Sequence, residues 1–98
     1  METITLKLNE KHHGAFYVME GGERLGEMVI GIKDHDLTVY HTEVFPDGEG
    51  KGIGKKLLEH MVDYARKNNL MVIALCPYVF AQFKRHPEAY ADIWKNKE

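Results

Sequence analysis

Two β-rich runs, Leu37–Val44 and Met71–Leu75, are separated by a glycine-dense loop and one amphipathic helical stretch. Nothing else in the chain restricts its fold so tightly. Ile53, Leu57, Leu58, Met61, Val62 and Ala65 recur at helical spacing. Lys55, Lys56, Glu59, His60, Asp63, Arg66 and Lys67 fall mostly on the other side, and Asn68-Asn69 supplies a C-cap. Met71–Leu75 is short and continuously apolar, as a buried strand would be, and Pro77 ends it. A single helix joining two strands of one sheet makes those strands parallel, with a right-handed crossover in ~98% of such units. The loop is thereby placed at the carboxyl end of the first strand, where α/β sheets hold their ligands.

The amino-terminal half has period 2. Ile4, Leu6 and Leu8 alternate with Thr5 and Lys7. Ala15–Glu20 and Arg24–Ile32 flank Gly21-Gly22, a hairpin signal. Asp34-His35-Asp36 turns the chain into Leu37–Val44. These runs predict an antiparallel meander of three or four strands. Beyond Pro77, Val79–Arg85 reads as a short helix stopped by His86-Pro87. Glu88–Lys95 reads as a last helical piece with Tyr90, Ile93 and Trp94 inward. The whole is one α/β (α+β, mixed-sheet) domain over residues 1–98, a length that suits a single core.

Composition narrows the partners. A net charge of −2 argues against a general nucleic-acid binder, although Lys51, Lys55 and Lys56 form a local basic patch. A single cysteine, Cys76, rules out an internal disulfide and suits a reducing compartment. The start lacks the apolar segment of a secretory signal. No apolar run reaches the ~20 residues a membrane span needs. The expected location is cytoplasmic. His12, His13, His35 and His60 show no HExxH or paired Cys/His spacing, so no metal site is expected.

The loop Val44-Phe45-Pro46-Asp47-Gly48-Glu49-Gly50-Lys51-Gly52-Ile53-Gly54-Lys55 points to an anionic ligand. Its glycines let backbone N–H groups approach a phosphate, and the following helix start adds unpaired donors and partial positive charge. A P-loop is excluded because Lys55 is followed by Lys56 rather than Ser or Thr. A dinucleotide fingerprint is disfavoured because Gly50, Gly52 and Gly54 read G-x-G-x-G.

With Gly52-Ile53-Gly54 after Val44-x-Pro46, the loop resembles the acetyl-CoA signature of the GNAT acetyltransferase superfamily. The order of elements matches over nearly the whole chain. His41-Thr42-Glu43-Val44, Cys76-Pro77-Tyr78 and His86-Pro87 narrow the resemblance to a small GNAT-like family whose members are about as long as this chain. The resemblance implies a GNAT-like fold and acetyl-CoA as co-substrate. Val44, Phe45, Glu49, Gly50, Lys51, Gly52, Ile53, Gly54 and Lys55 would hold its pyrophosphate, and splayed strands would receive its pantetheine arm. Glu49 stands where that family usually carries Arg or Gln. Phe83 falls near the position of the tyrosine acid of larger relatives and would contact the cofactor, and Arg85 and His86 would meet its adenosine end.

The acceptor implied is an amine, on a small molecule or a protein. Acetyl transfer to it needs a base, a polarised carbonyl and an acid for the leaving thiolate. Cys76, at the end of the second strand, is either a nucleophile or a small buried hydrophobe. His41 and Glu43 share one strand face, in row with Leu37 and Val39, as acceptor-side groups or as a mutual hydrogen-bonded pair. Tyr78 is the nearest phenol. The alternatives are a CoA-binding sensor or interaction module without turnover, and a binder of another phosphate ligand. Oligomeric state is not legible.

Overall fold

The computed structural model describes residues 1–97. Four antiparallel strands, β1 (Thr3–Leu8), β2 (His13–Glu20), β3 (Glu23–Lys33) and β4 (Asp36–Val44), form the meander. A short 3-10 turn, Pro46–Gly48, leads through the glycine loop into α1 (Ile53–Lys67). Strand β5 (Met71–Ala74) returns parallel to β4, and α2 (Pro77–Arg85) and α3 (Pro87–Tyr90) follow. The sheet order is β1-β2-β3-β4-β5. The mixed sheet and the parallel β4–β5 pair are as the sequence predicts.

Helix α1 buries Ile53, Leu57, Leu58, Met61, Val62 and Ala65, the six residues that carry its apolar period. They pack on Phe16, Val18, Met28, Ile30, Leu37, Val39, Val72 and Ala74. These strand residues alternate with half-exposed Tyr17, Val29, Thr38 and Ile73, so the helices cover one sheet face and leave the other open. Asn69 ends α1 in the left-handed region at φ 55°. Leu70 N–H donates to Ala65 at 2.8 Å and Asn69 N–H to Arg66 at 3.4 Å, the paired bonds of a Schellman stop.

The carboxyl-terminal segment differs from its expected helix. Only Pro87–Tyr90 is helical. Ile93 O accepts from Val72 N–H at 2.6 Å, and Lys95 N–H donates to Val72 O at 2.8 Å, so the tail runs beside β5 as a parallel bridge at Trp94. An otherwise open edge strand gains backbone partners this way. Ile93 and Trp94 are buried as expected. Helix α2 begins two residues early because Pro77 fits the first helical position, where no N–H is required.

Candidate active site

Strands β4 and β5 pair only as far as Val39 and Ala74. Val39 O then accepts from both Leu75 N–H (3.1 Å) and Cys76 N–H (2.9 Å), and the chain turns away into α2. Strand β4 continues through Tyr40–Val44 with no β5 partner, which opens a gap between the strands. The parting coincides with a bulge. Val29 pairs with His41 and Ile30 with Val39, leaving Tyr40 unpaired. An extra residue reverses the alternation of every side chain after it. The expected row is therefore corrected: Thr42 and Val44, not His41 and Glu43, continue the line of Leu37 and Val39. His41 and Glu43 stand on the open face, both more than half exposed, with His41 Nε2 3.5 Å from Glu43 Oε1.

The glycine loop adjoins the end of β4. Gly50 and Gly52 hold φ of 79° and 69°, left-handed values that side chains rarely adopt, with open space around each. Gly52 is the N-cap of α1 and no side chain caps the helix. The first N–H groups of α1 thus lack intrahelical partners and face outward with the positive end of the helix. Gly48 instead lets the loop press on β3, since a Cβ there would lie 2.4 Å from Leu25 O.

The three lysines separate. Lys56 is ion-paired with Glu2, and Lys51 Nζ lies 3.1 Å from Glu20. Lys51 holds the Glu20 carboxyl below the usual carboxylate range. Lys55 has no ion-pair partner among the described residues and is exposed beside the helix start. Glu49 is exposed as well, with its N–H donated to Pro46 O at 3.2 Å.

Helix α2 brings two further groups to the loop and the gap. The Tyr78 ring lies over the first turn of α1, where a Cβ on Gly54 would be 3.4 Å from both its Cζ and its Oη. Burial, with lesser contributions from Tyr90, Cys76 and Glu59, pushes the Tyr78 phenol up, so it stays protonated at neutral pH. Cys76 is 1% exposed, and its Sγ donates to Thr42 Oγ1 at 3.3 Å across the base of the gap. Thr42 is absent from the sequence-derived candidates because its inward placement depends on the bulge.

Phe83, expected to contact the cofactor, lies elsewhere. It is wholly buried, stacked on Tyr90 at 4.5 Å and edge-on to Trp94 at 5.7 Å. One turn after Val79, it falls on the apolar side of α2, which faces the core. Arg85 and His86 end α2 and are exposed, about 10–12 Å along the axis from Tyr78, which touches the loop. The structure thus gathers Gly50–Lys55, Tyr78, Cys76 and Thr42 on one side of the gap, and His41 and Glu43 on the other. Among the described residues no group of three metal-ligating side chains is placed to hold an ion, and no helix is long and apolar enough to cross a membrane.

Residues 15–93 match the family model described as GCN5-related N-acetyl-transferase. No curated protein matches the chain. Among solved structures, a GCN5-like protein from Staphylococcus aureus is 30% identical with a TM-score of 0.70, covering 100% of this chain and 94% of its own. The ribosomal-protein-S18-alanine N-acetyltransferase of Escherichia coli is 17% identical (TM-score 0.67), covering 76% of this chain and 66% of its own. The ribosomal-protein-alanine N-acetyltransferase of Brucella melitensis biovar Abortus is 20% identical (TM-score 0.63), covering 91% of this chain and 66% of its own. This chain thus spans just under two thirds of those two enzymes, and at such identity the likeness is one of fold.

Proposed function

This chain belongs to the GCN5-related N-acetyltransferase family, and from that premise we propose that it binds acetyl-CoA and transfers the acetyl group to an amine. One observation carries the reading: the gap between β4 and β5 opens beside an uncapped helix start reached through two left-handed glycines. A pyrophosphate suits free N–H donors and the positive end of a helix. A pantetheine arm, an extended chain of amides, suits the edge of Tyr40–Val44 that β5 leaves free. When bound, acetyl-CoA supplies an acetyl group already activated as a thioester.

The chain's own groups divide the remaining work. Gly50–Lys55 bind through backbone, and Lys55 adds a charge that offsets Glu49. Val44 and Phe45 lead into this cradle, and Arg85 and His86 extend it along α2. Glu43, with His41 beside it, is the base that takes the proton of the acceptor ammonium. Tyr78, held protonated, is the donor for a departing thiolate. Cys76 lines the base of the gap. Its thiol proton is committed to Thr42, which favours a wall and hydrogen-bonding role over a covalent relay.

Calorimetry with acetyl-CoA tests the binding step, and free thiol release with a panel of primary amines tests transfer. Binding followed by amine-dependent thiol release is expected, with release retained in Cys76→Ala. Absence of acetyl-CoA binding at high protein concentration would sink the proposal. A second reading, CoA binding without turnover, is favoured by Glu49 in the loop and by Phe83 in the core rather than at the gap. It expects calorimetric binding with no thiol release across the panel.

A further inference from the structure

The two edges of the sheet differ. The tail straps the outer side of β5 through Val72 and the bridge at Trp94. Strand β1 forms the other edge, and among the described residues nothing pairs with its outer side. It holds neither proline nor bulge and stays in one register with β2 along its length. Such an edge is a template for a further strand.

The pairing with β2 decides which groups this edge offers. Asn9 N–H donates to His13 O at 2.8 Å, and hydrogen-bonded pairs then recur at every second residue, at Lys7–Ala15, Thr5–Tyr17 and Thr3–Met19. The N–H and C=O groups of Ile4, Leu6 and Leu8 therefore point out of the sheet. The side chains of the same residues lie on the helix-covered face, since Ile4 pairs with Val18 and Leu6 with Phe16, both in the core. Helix α1 packs on β2, β3 and β4. Ile4 and Leu6 are thus only half-buried, and Leu8 is 36% exposed. Unpaired backbone and uncovered apolar surface coincide on one short strand.

We infer that β1 pairs antiparallel with β1 of a second copy of this chain, about a two-fold axis between the two Leu6 residues. Ile4-Thr5-Leu6-Lys7-Leu8 alternates apolar and polar identically in both directions. With Leu6 on the axis, Ile4 stands opposite Leu8 of the second copy, and each apolar pair exchanges two backbone hydrogen bonds. Lys7 stands opposite Thr5 of the second copy, so no like charges are directly opposed. A slip of two residues sets Glu2 or Glu10 against an apolar side chain, and a slip of one sends the apolar row to the wrong face. A second copy suits the edge better than a foreign segment for two reasons. Its strand is already ordered, whereas a free segment must first lose its backbone freedom. It also closes the assembly, because both β1 edges are used and both β5 edges are strapped by the tails.

Dimer formation is independent of acetyl-CoA and of the transfer reading above. Sedimentation velocity from about 10 µM to about 1 mM covers the affinities of a small interface, and the sedimentation coefficient should climb over that range. Leu8→Lys, at an exposed position, should weaken association about tenfold, because the lost pair occurs twice across the axis. Its circular dichroism and melting curve at low concentration should match the parent. Leu6→Cys should form a covalent dimer under glutathione disulfide, since residues directly opposed in such a pair have Cα atoms about 5.5 Å apart, within disulfide reach. Thr5→Cys, about 7–8 Å from its copy on the diagonal, should not. Cys76 is buried and does not compete. A protein that stays monomeric at about 1 mM overturns the inference and leaves the edge to a foreign strand. Association that Leu8→Lys leaves unchanged, or cross-linking through Thr5→Cys and not Leu6→Cys, overturns it as well.

Discussion

The tail strap makes a quantitative prediction through Asn96. Its Oδ1 accepts from Ala74 N–H at 3.0 Å and from Trp94 Nε1–H at 2.9 Å, and its Nδ2 donates to Ala74 O at 3.1 Å. One carboxamide thus stands in for a neighbouring strand at the end of β5, and also fixes the indole that packs on Phe80 and Phe83. Asn96→Ala removes all three bonds and leaves the Ala74 and Trp94 groups unpaired. At a net contribution of about 0.5–1.5 kcal/mol each, and with the site only partly buried, the loss is about 2–3 kcal/mol. For a domain of this size a urea slope of ~1 kcal/mol/M converts that to a midpoint lower by about 2–3 M. The melting temperature should fall by roughly 10–20 °C. Asn96→Asp keeps the acceptor and loses the donor, so it should fall between. Exposed Lys97→Ala serves as the control and should be neutral. Urea denaturation followed by tryptophan fluorescence reads all three. A loss below about 0.5 kcal/mol for Asn96→Ala would refute the strap as a stabilising element.

The lysines and the tail ion pair give two further tests. Lys55→Ala should weaken acetyl-CoA binding about three- to fivefold, the scale of one charge at a helix start, whereas Lys56→Ala, which loses only its pair with Glu2, should leave affinity unchanged. Calorimetry on both variants decides, and equal losses would refute the separation. Arg66 holds Asp92 through Nε (3.0 Å) and a second guanidinium nitrogen (3.1 Å), which lowers the Asp92 carboxyl below its ordinary value of 3.8. A carboxyl lowered in the folded state stabilises above its unfolded pKa and loses that contribution as pH falls through the folded one. Asp92→Asn should therefore be less stable than the parent at neutral pH, by under about 1 kcal/mol because the pair is exposed. The difference should shrink as pH drops through the unfolded pKa and vanish below the folded one. A difference that persists at pH 2 would refute the pair as its source.

Much of the scaffold is legible in residue order. The apolar period of α1 names its six buried residues, since a helix beside a sheet has one face to bury. Gly21-Gly22 and the alternation around it place the β2–β3 hairpin. The turn to α1 is legible because glycine is the residue that reaches φ near 70° without strain. The tail is not legible in the same way: Tyr90, Ile93 and Trp94 satisfy helical spacing, but the open edge of β5 offers the backbone after Tyr90 another set of partners. For Phe83, spacing says where along α2 the residue lies, whereas packing of its apolar surface on Tyr90 and Trp94 decides which way it faces.

Local rules in the amino-acid sequence were enough to determine the meander, the crossover helix, the parallel return strand and the glycine loop. Periodicity, capping and turn chemistry act over a few residues and need no knowledge of neighbours. Only the tertiary structure decided which side chains share the site. A single unpaired residue, Tyr40, reverses the facing of β4, turning Thr42 toward Cys76 and sending His41 and Glu43 to the open face. A bulge is one extra residue set against its partner strand, and that pairing exists only once the strands are side by side.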